Sequence, residues 1–200
     1  MYFIVFISGG GSNLQEVINF CQNNNEHKIL HVISNKDNIY GLERCNIHNI
    51  PYSIFEFKKS ENYKEKSLQD KQIERDVYEN NIYQKVEEIN NKVQSRICTL
   101  CLGWMHILGK KFIDNINDLQ CTKSDIKQNS IKIFNLHPSL PFDDKLIGTN
   151  SITRAWEQFS NNERVVTGIM IHELIPEVDK GNYINVEVLD ITKCFGYPDY

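Results

Sequence analysis

The fold is decided by the stretch YFIVFISGGGSNLQEV, which occupies residues 2–17. The apolar run over 2–7 is short and rich in aromatic and β-branched residues, which predicts a buried strand. Three glycines follow it and predict a tight turn. Leu14, Val17 and Ile18 then recur at helical spacing, so the turn leads into an amphipathic helix. A strand, a glycine turn and a helix are the first unit of a parallel α/β sheet.

The rest of the chain continues this alternation. Further strands are predicted over 29–34, 51–55, 97–102, 131–136, 165–171 and 183–189, and helices over 62–93 and 149–159. The pattern predicts one α/β domain over residues 1–200, with a mostly parallel twisted sheet, right-handed crossovers and helices on both faces. We expect the polar stretches 58–73 and 117–130 to be surface insertions. Ligands of such sheets bind outside the carboxyl ends of the strands.

Composition limits the classes of partner. The net charge of -4 argues against nucleic acid and membrane surfaces, which normally bind basic proteins. The first residues lack a basic flank and a cleavage site, so we expect a cytoplasmic protein. The scattered cysteines do not suggest a disulfide framework. Cys98 and Cys101 have metal-ligand spacing, but they lie in a predicted strand without a second pair, so we expect core residues and no metal.

The glycine turn has the composition of a phosphate cradle. Ser12 or Asn13 can cap the following helix, whose free N–H groups and positive dipole end attract anions. The alternative is a strand-to-helix connection without a ligand. The turn matches neither the full dinucleotide fingerprint nor a Walker loop, because no lysine follows Gly11.

The stretch IKIFNLHPSLP, residues 131–141, carries the clearest chemistry. Asn135 and His137 lie two apart at a strand end, so their side chains point the same way. Pro138 favours this extended conformation. An amide and an imidazole together can donate to a carbonyl oxygen that gains negative charge. Asp179 lies in a predicted turn, where an exposed aspartate is the ordinary interpretation; near His137 it would help to move protons.

Five motifs together resemble the phosphoribosylglycinamide formyltransferase family, the folate-dependent enzymes of purine synthesis. They are ISGGGSNLQ at 7–15, YGLER at 40–44, GWMHIL at 103–108, FNLHPSL at 134–140 and EVDKG at 177–181. They occur in the family's order and extend from the first strand to about residue 190. Asn-x-His-Pro is shared by folate formyltransferases as a class, whereas the glycine turn points to the glycinamide ribonucleotide branch.

The resemblance implies a role for each matching position. The catalytic residues would be Asn135, His137 and Asp179, and the phosphate of the acceptor would bind to Gly11, Ser12 and Asn13. The folate would contact Arg75, Met105, His106, Ile107, Leu108, Asn135, Ile175, Pro176, Glu177, Val178 and Asp179. The substrates would be glycinamide ribonucleotide and 10-formyltetrahydrofolate, the latter as co-substrate, with no tightly bound cofactor.

Three positions depart from the family's pattern. The family often has a longer or basic residue in place of His106, and a histidine in place of Asn150. It also continues into a C-terminal helix, which we expect this chain, ending at Tyr200, to lack. The alternatives are another folate-dependent enzyme, either a formyltetrahydrofolate hydrolase or a transferase with another amine, and a non-catalytic nucleotide-binding relative. The oligomeric state stays open.

Overall fold

The computed structural model describes residues 1–93, 95–119 and 131–194, without the side chain of Cys194. Most of the insertion predicted over 117–130 and the expected absence of a C-terminal helix after 194 therefore lie outside the described residues. Contacts divide the chain into two compact units, Met1–Ile133 and Phe134–Tyr200. The expectation of one domain over residues 1–200 stays a prediction.

The first unit is a parallel α/β layer. Its strands are β1 (Tyr2–Ile7), β2 (Lys28–Ser34), β3 (Tyr52–Ile54) and β4 (Ile97–Leu102). Its helices are α1 (Ser12–Asn23), α2 (Tyr40–Ile47), α3 (Leu68–Lys92) and α4 (Lys110–Asp118), with a 3-10 turn at Tyr63–Glu65. β1 pairs in parallel with both β2 and β4, and β2 pairs in parallel with β3.

The second unit is an antiparallel layer that β5 opens. Its elements are β5 (Lys132–His137), a 3-10 turn (Asp144–Leu146), α5 (Ser151–Ser160), β6 (Val166–Glu173), β7 (Tyr183–Asp190) and α6 (Ile191–Cys194). β5 pairs with β6, and β6 with β7, all antiparallel. The strands and helices confirm the predicted α/β class.

The first strand is the centre of the first unit's core. Ile4, Val5, Phe6 and Ile7 are completely buried, and β1 pairs with a strand on each edge. A central parallel strand is covered on both faces, which explains its continuous apolar run. The opening stretch therefore predicted both the strand and its place in the sheet.

The long helix α3 begins later than predicted and buries one apolar face. Ser67 caps it by accepting a hydrogen bond from Asp70 N at 3.1 Å, so residues 68–73 belong to the helix and not to an insertion. The buried face follows Tyr78, Ile82 and Val86, which are each four residues apart. Val77 is 59% exposed because it lies one position off this spacing.

Three of the described helices, α2, α4 and the four-residue α6, were not predicted. α2 contains Gly41 in its first turn, where glycine lowers helix propensity, and α4 follows Gly109 without a side-chain cap. The signal in α4 was the apolar trio Phe112, Ile113 and Ile116, which is buried. Nine residues were too few for this spacing to stand out.

The described cysteines behave as core or partly buried residues. Cys21, Cys45, Cys98 and Cys101 are free thiols, and Cys101 is buried in β4 as expected. Burial raises the pKa of Cys98 to about 11 and that of Cys45 to about 11. Within the described ranges no group of three or more His, Cys, Asp or Glu side chains could hold a metal ion. No helix in the same ranges is both long and apolar enough for a membrane span.

Candidate active site

The glycine loop, residues 8–13, joins β1 to α1. Gly11 is the N-cap of the helix with φ 69°, a left-handed conformation that glycine adopts without strain. The expected capping by Ser12 or Asn13 is wrong, because both residues already belong to the helix and no side chain caps it. Both side chains are exposed. The first turn of α1 thus presents main-chain N–H groups beside a free hydroxyl and a free amide.

The motif at 40–44 holds this loop. Gly41 N donates to Gly9 O at 3.2 Å, and Arg44 Nε donates to Gly10 O at 2.9 Å. A methyl group on Gly41 would lie 2.7 Å from Gly9 O and 2.6 Å from Ile7 Cδ1. Only glycine at position 41 therefore allows α2 to approach the loop this closely. This contact and the hydrogen bond of Arg44 explain two residues of the motif.

The loop after β4, residues 103–109, contains the predicted folate residues. Met105 and Ile107 are 61% and 59% exposed, whereas Leu108 is buried. The His106 ring lies inward against Tyr78, with ring centroids 4.8 Å apart. Alternate residues of this segment therefore face solvent and core. Leu108, expected against the pterin, has its side chain in the core and offers a ligand mainly its main chain.

Two side chains of α3 hold the 103–109 loop. Glu79 is 2% exposed, and its carboxylate accepts from Gly109 N at 3.0 and 3.1 Å. The same carboxylate lies 3.2 Å from His106 Nε2. Arg75, expected near the folate tail, donates through Nη2 to Ile107 O at 2.9 Å. Glu79 was not predicted, because a glutamate in a highly charged helix ordinarily faces solvent.

A serine links this loop to the glycine loop. Ser8 is 5% exposed, and its Oγ accepts a hydrogen bond from Met105 N at 2.7 Å. The carboxyl ends of β1 and β4 lie side by side because the strands pair in parallel. The first unit thus places both predicted binding loops at one edge of its sheet, as the motif positions indicated.

In the second unit, β5 carries Asn135 and His137 to its carboxyl end. They lie on one face of the strand, as their spacing predicted. His137 is buried and Asn135 is half-buried. Opposite Asn135, the antiparallel partner strand β6 places His172.

Asp179 lies in the turn between β6 and β7 and points inward. Its φ of 55° is left-handed, a conformation that aspartate tolerates better than most residues. The carboxyl side chain is only 7% exposed, so the ordinary interpretation as an exposed turn residue is wrong. Its Oδ1 lies 3.3 Å from Asn135 Nδ2, and its Oδ2 lies 3.5 Å from His137 Nδ1. The structure therefore brings the three predicted catalytic residues together.

The proton positions on His137 follow from its neighbours. Nε2 lies 3.0 Å from Leu146 O, and a carbonyl oxygen can only accept, so Nε2 carries a proton. In the neutral ring Nδ1 then has a lone pair, which faces the carboxylate of Asp179. Nδ1 lies 3.5 Å from Asp179 Oδ2, so the imidazolium form of His137 is paired with this carboxylate. Nδ1, beside the carboxylate, is thus the ring nitrogen that is not held by Leu146 O.

His172 is a fourth member of this cluster that the sequence interpretation missed. It is 1% exposed, with Nδ1 2.9 Å from Glu173 O, so Nδ1 donates there. Its Nε2 lies 3.2 Å from Asn135 Nδ2 and 3.5 Å from Asp179 Oδ1. The one signal that could have identified His172 is its position opposite the Asn-x-His motif on the paired strand. That position cannot be recognised from the sequence without knowing the strand register. We call Asn135, His137, His172 and Asp179 the polar cluster.

Asp179 stays ionised in this environment. Burial raises the pKa of its carboxyl. Hydrogen bonds from His172 and Gly148 N, together with the charges of His137 and His172, lower this pKa by a larger amount. The net pKa is below the usual value of 3.8. Gly148 N donates to Oδ2 at 2.8 Å. The cluster is thus an acceptor carboxylate among an amide, two imidazoles and a main-chain N–H.

The segment before Asp179 contains the remaining predicted folate residues. Pro176, Glu177 and Val178 are exposed, and Ile175 is half-buried. Lys180 N donates to Glu177 O at 3.3 Å and closes the turn. Asn150 has φ 59° and is the N-cap of α5. It joins none of the described hydrogen bonds of the polar cluster.

Comparison with known proteins defines the class of protein. A model of the formyl transferase family matches residues 1–194, and the chain belongs to this family. This membership agrees with the Asn-x-His-Pro motif and the polar cluster around it.

Individual relatives narrow the comparison. The chain is 33% identical to phosphoribosylglycinamide formyltransferase of Schizosaccharomyces pombe, over 94% of this chain and 82% of the relative. It is 34% identical to the enzyme of that name from Saccharomyces cerevisiae, with the same two coverages. The solved structure of phosphoribosylglycinamide formyltransferase from Coxiella burnetii, 24% identical, superposes with a TM-score of 0.67. It covers all of this chain and 75% of that one, and it supports the fold alone.

Proposed function

We propose that this chain transfers a formyl group from 10-formyltetrahydrofolate to the amine of glycinamide ribonucleotide in purine biosynthesis. The observation that carries the proposal is the convergence of Asn135, His137 and Asp179 in a member of the formyl transferase family. A nucleotide-binding relative without catalysis has no need of a buried carboxylate that faces an imidazole nitrogen. Curated relatives that carry the enzyme's name are about one third identical to this chain.

The reaction joins the acceptor's amine nitrogen to the formyl carbon, and the bond from that carbon to N10 of the folate then breaks. The tetrahedral intermediate has an oxyanion, to which the amide of Asn135 and the Nδ1–H of His137 donate. The negative charge of Asp179 stabilises the imidazolium. The proton lost by the amine reaches N10 through His137 and water. The folate leaves as tetrahydrofolate, and no other group is consumed.

The acceptor's phosphate is assigned to the glycine loop. The exposed side chains of Ser12 and Asn13 and the uncapped N–H groups of α1 are suited to a phosphate. Gly11 lets the main chain approach the ligand closely. A hydrolase that transfers the formyl group to water needs no such cradle.

The folate is assigned to two segments. Met105 and Ile107 offer exposed apolar surface, and the main chain from His106 to Leu108 offers polar groups to the pterin. The turn from Ile175 to Asp179 would bind the pterin edge. Arg75, which donates to Ile107 O, would lie near the folate tail. We further propose that the protein works in the cytoplasm on these small molecules, without nucleic acid, membrane, metal or a tightly bound cofactor.

One experiment separates the candidate functions. Loss of 10-formyltetrahydrofolate is followed with and without glycinamide ribonucleotide, while formate and tetrahydrofolate are measured. The proposal requires consumption that depends on the acceptor and yields formylated acceptor. Formate release without the acceptor would identify a hydrolase, and transfer to a different amine would identify another formyltransferase. Binding without turnover would identify a non-catalytic relative.

A further inference from the structure

The main chain of residues 145–149 forms hydrogen bonds on two sides, to the polar cluster and to Arg154, and successive residues alternate between the two. Its even-numbered residues contact the polar cluster: Leu146 O accepts from His137, and Gly148 N donates to Asp179. The carbonyls of its odd-numbered residues all point to one guanidinium, that of Arg154. Nη1 donates to Lys145 O at 3.0 Å, and Nη2 donates to Ile147 O at 2.6 Å and Thr149 O at 2.9 Å.

We propose that Arg154 is a positioning residue for the reaction, acting through the 145–149 segment on His137 and Asp179. The inference rests on the proposed function for its kinetic consequences. Arg154 touches neither side chain directly in the described contacts. It fixes the carbonyls on either side of Leu146 and Gly148, and these two residues set the tautomer of His137 and the orientation of the Asp179 carboxylate.

The location of Arg154 supports a role in the segment. It lies in the first turns of α5, where the helix dipole disfavours a cation. Its side chain is directed back toward the helix start, as helical side chains are. All the hydrogen-bond partners described for its guanidinium are main-chain oxygens of this segment. These bonds therefore offset the unfavourable position of the charge.

The guanidinium has the geometry that these three carbonyl oxygens require. Its fork has two terminal nitrogens in a fixed plane, so that one group can serve three carbonyls at successive odd positions. A lysine has a single nitrogen on a flexible stem and cannot hold the same three oxygens in a rigid arrangement. Arg154→Lys is consequently a test of geometry at constant charge.

The experiment compares Arg154→Met, Arg154→Lys and Glu157→Gln in the full chain. Glu157 is an exposed residue of the same helix and provides the matched control. A displacement of about 1 Å at the reacting groups costs roughly 100-fold in rate, so we expect kcat of Arg154→Met to fall about 10- to 100-fold. The KM values of both substrates should change less than about threefold, because Arg154 binds neither. Arg154→Lys should lie between Arg154→Met and the unaltered chain.

Nitrogen NMR of the unliganded protein gives a readout independent of turnover. The His137 Nε2–H and Gly148 N–H resonances should shift and exchange faster in Arg154→Met, and stay unchanged in Glu157→Gln. Unchanged resonances in Arg154→Met, or a kcat per folded molecule equal to that of the unaltered chain, would overturn the inference. An unaltered chain without formyl transfer would instead refute the proposed function and the kinetic part of this inference; the resonances would still decide whether Arg154 holds the two groups.

Discussion

Replacing Asp179 by asparagine removes the charge at the centre of the polar cluster and leaves the side chain's shape almost unchanged. The carboxylate receives Gly148 N–H at 2.8 Å and lies 3.5 Å from a nitrogen of each imidazole, in His137 and His172. The amide of asparagine can still accept one hydrogen bond, but it cannot form an ion pair with a protonated ring. The substitution therefore tests the charge more than the packing.

The magnitude follows from the distance. Two unit charges 3.5 Å apart attract each other by about 5 kcal/mol at an effective dielectric constant of about 20. Gly148 N–H and the amide of Asn135 also stabilise the carboxylate. Removing the charge of Asp179 also removes the cost of desolvating that charge, which offsets part of the lost attraction. We expect about 2–3 kcal/mol of transition-state stabilisation to disappear, which lowers kcat by roughly 30- to 150-fold.

The assay is steady-state formyl transfer by Asp179→Asn, His137→Ala and the double variant. Loss of His137 alone should cost at least about 100-fold, as for an oxyanion donor. If Asp179 works through His137, the double variant should be little slower than the slower single variant, because residues that act as a unit are non-additive. Losses that multiply fully in the double variant would show that the two side chains act independently, and the proton path through Nδ1 would be refuted.

Three further predictions concern the first unit. Ser12→Ala and Asn13→Ala should raise the acceptor's KM far more than the folate's, and equal changes in both would indicate a purely structural turn. Glu79→Gln should weaken folate binding about tenfold in titration calorimetry, since Gly109 N–H and His106 lose a charged partner; Glu88→Gln, an exposed ion-paired residue of the same helix, is the control. Because its pKa is about 11, the half-buried Cys98 should react with iodoacetamide at pH 8 much more slowly in the folded than in the unfolded protein, and faster as pH rises; equal rates at Cys98 in the two states would contradict this.

Regular backbone patterns made most of the first unit predictable. The run over 2–7 is apolar at every position because β1 is covered on both faces, and that alone identifies a central strand. Asn135 and His137 were also predictable, since side chains two apart in a strand share a face. In both cases the information lies within a few neighbouring residues.

Long-range pairing accounts for what the sequence did not reveal. His172 enters the polar cluster only because β6 pairs with β5 in a register that sets it opposite Asn135. A shift of one residue would turn it to the other face, and no local pattern specifies that register. The direction of Asp179 is equally hidden, because a left-handed turn residue reads as an exposed one until its partners are known. Glu79 looks like one more charge in a charged helix until α4 packs against it.

The tautomers of the two histidines in the polar cluster are set by main-chain atoms and not by side chains. Leu146 O fixes the proton on His137, Glu173 O fixes the proton on His172, and Gly148 N orients Asp179. Leu146 and Glu173 contribute carbonyl oxygens, which every residue type has, so a substitution at either position leaves these bonds intact as long as the path of the main chain is kept. Gly148 has φ 80°, a conformation that favours glycine. The residue that fixes the path of the 145–149 main chain is Arg154, and we expect its substitution to affect the polar cluster more than substitutions within the segment.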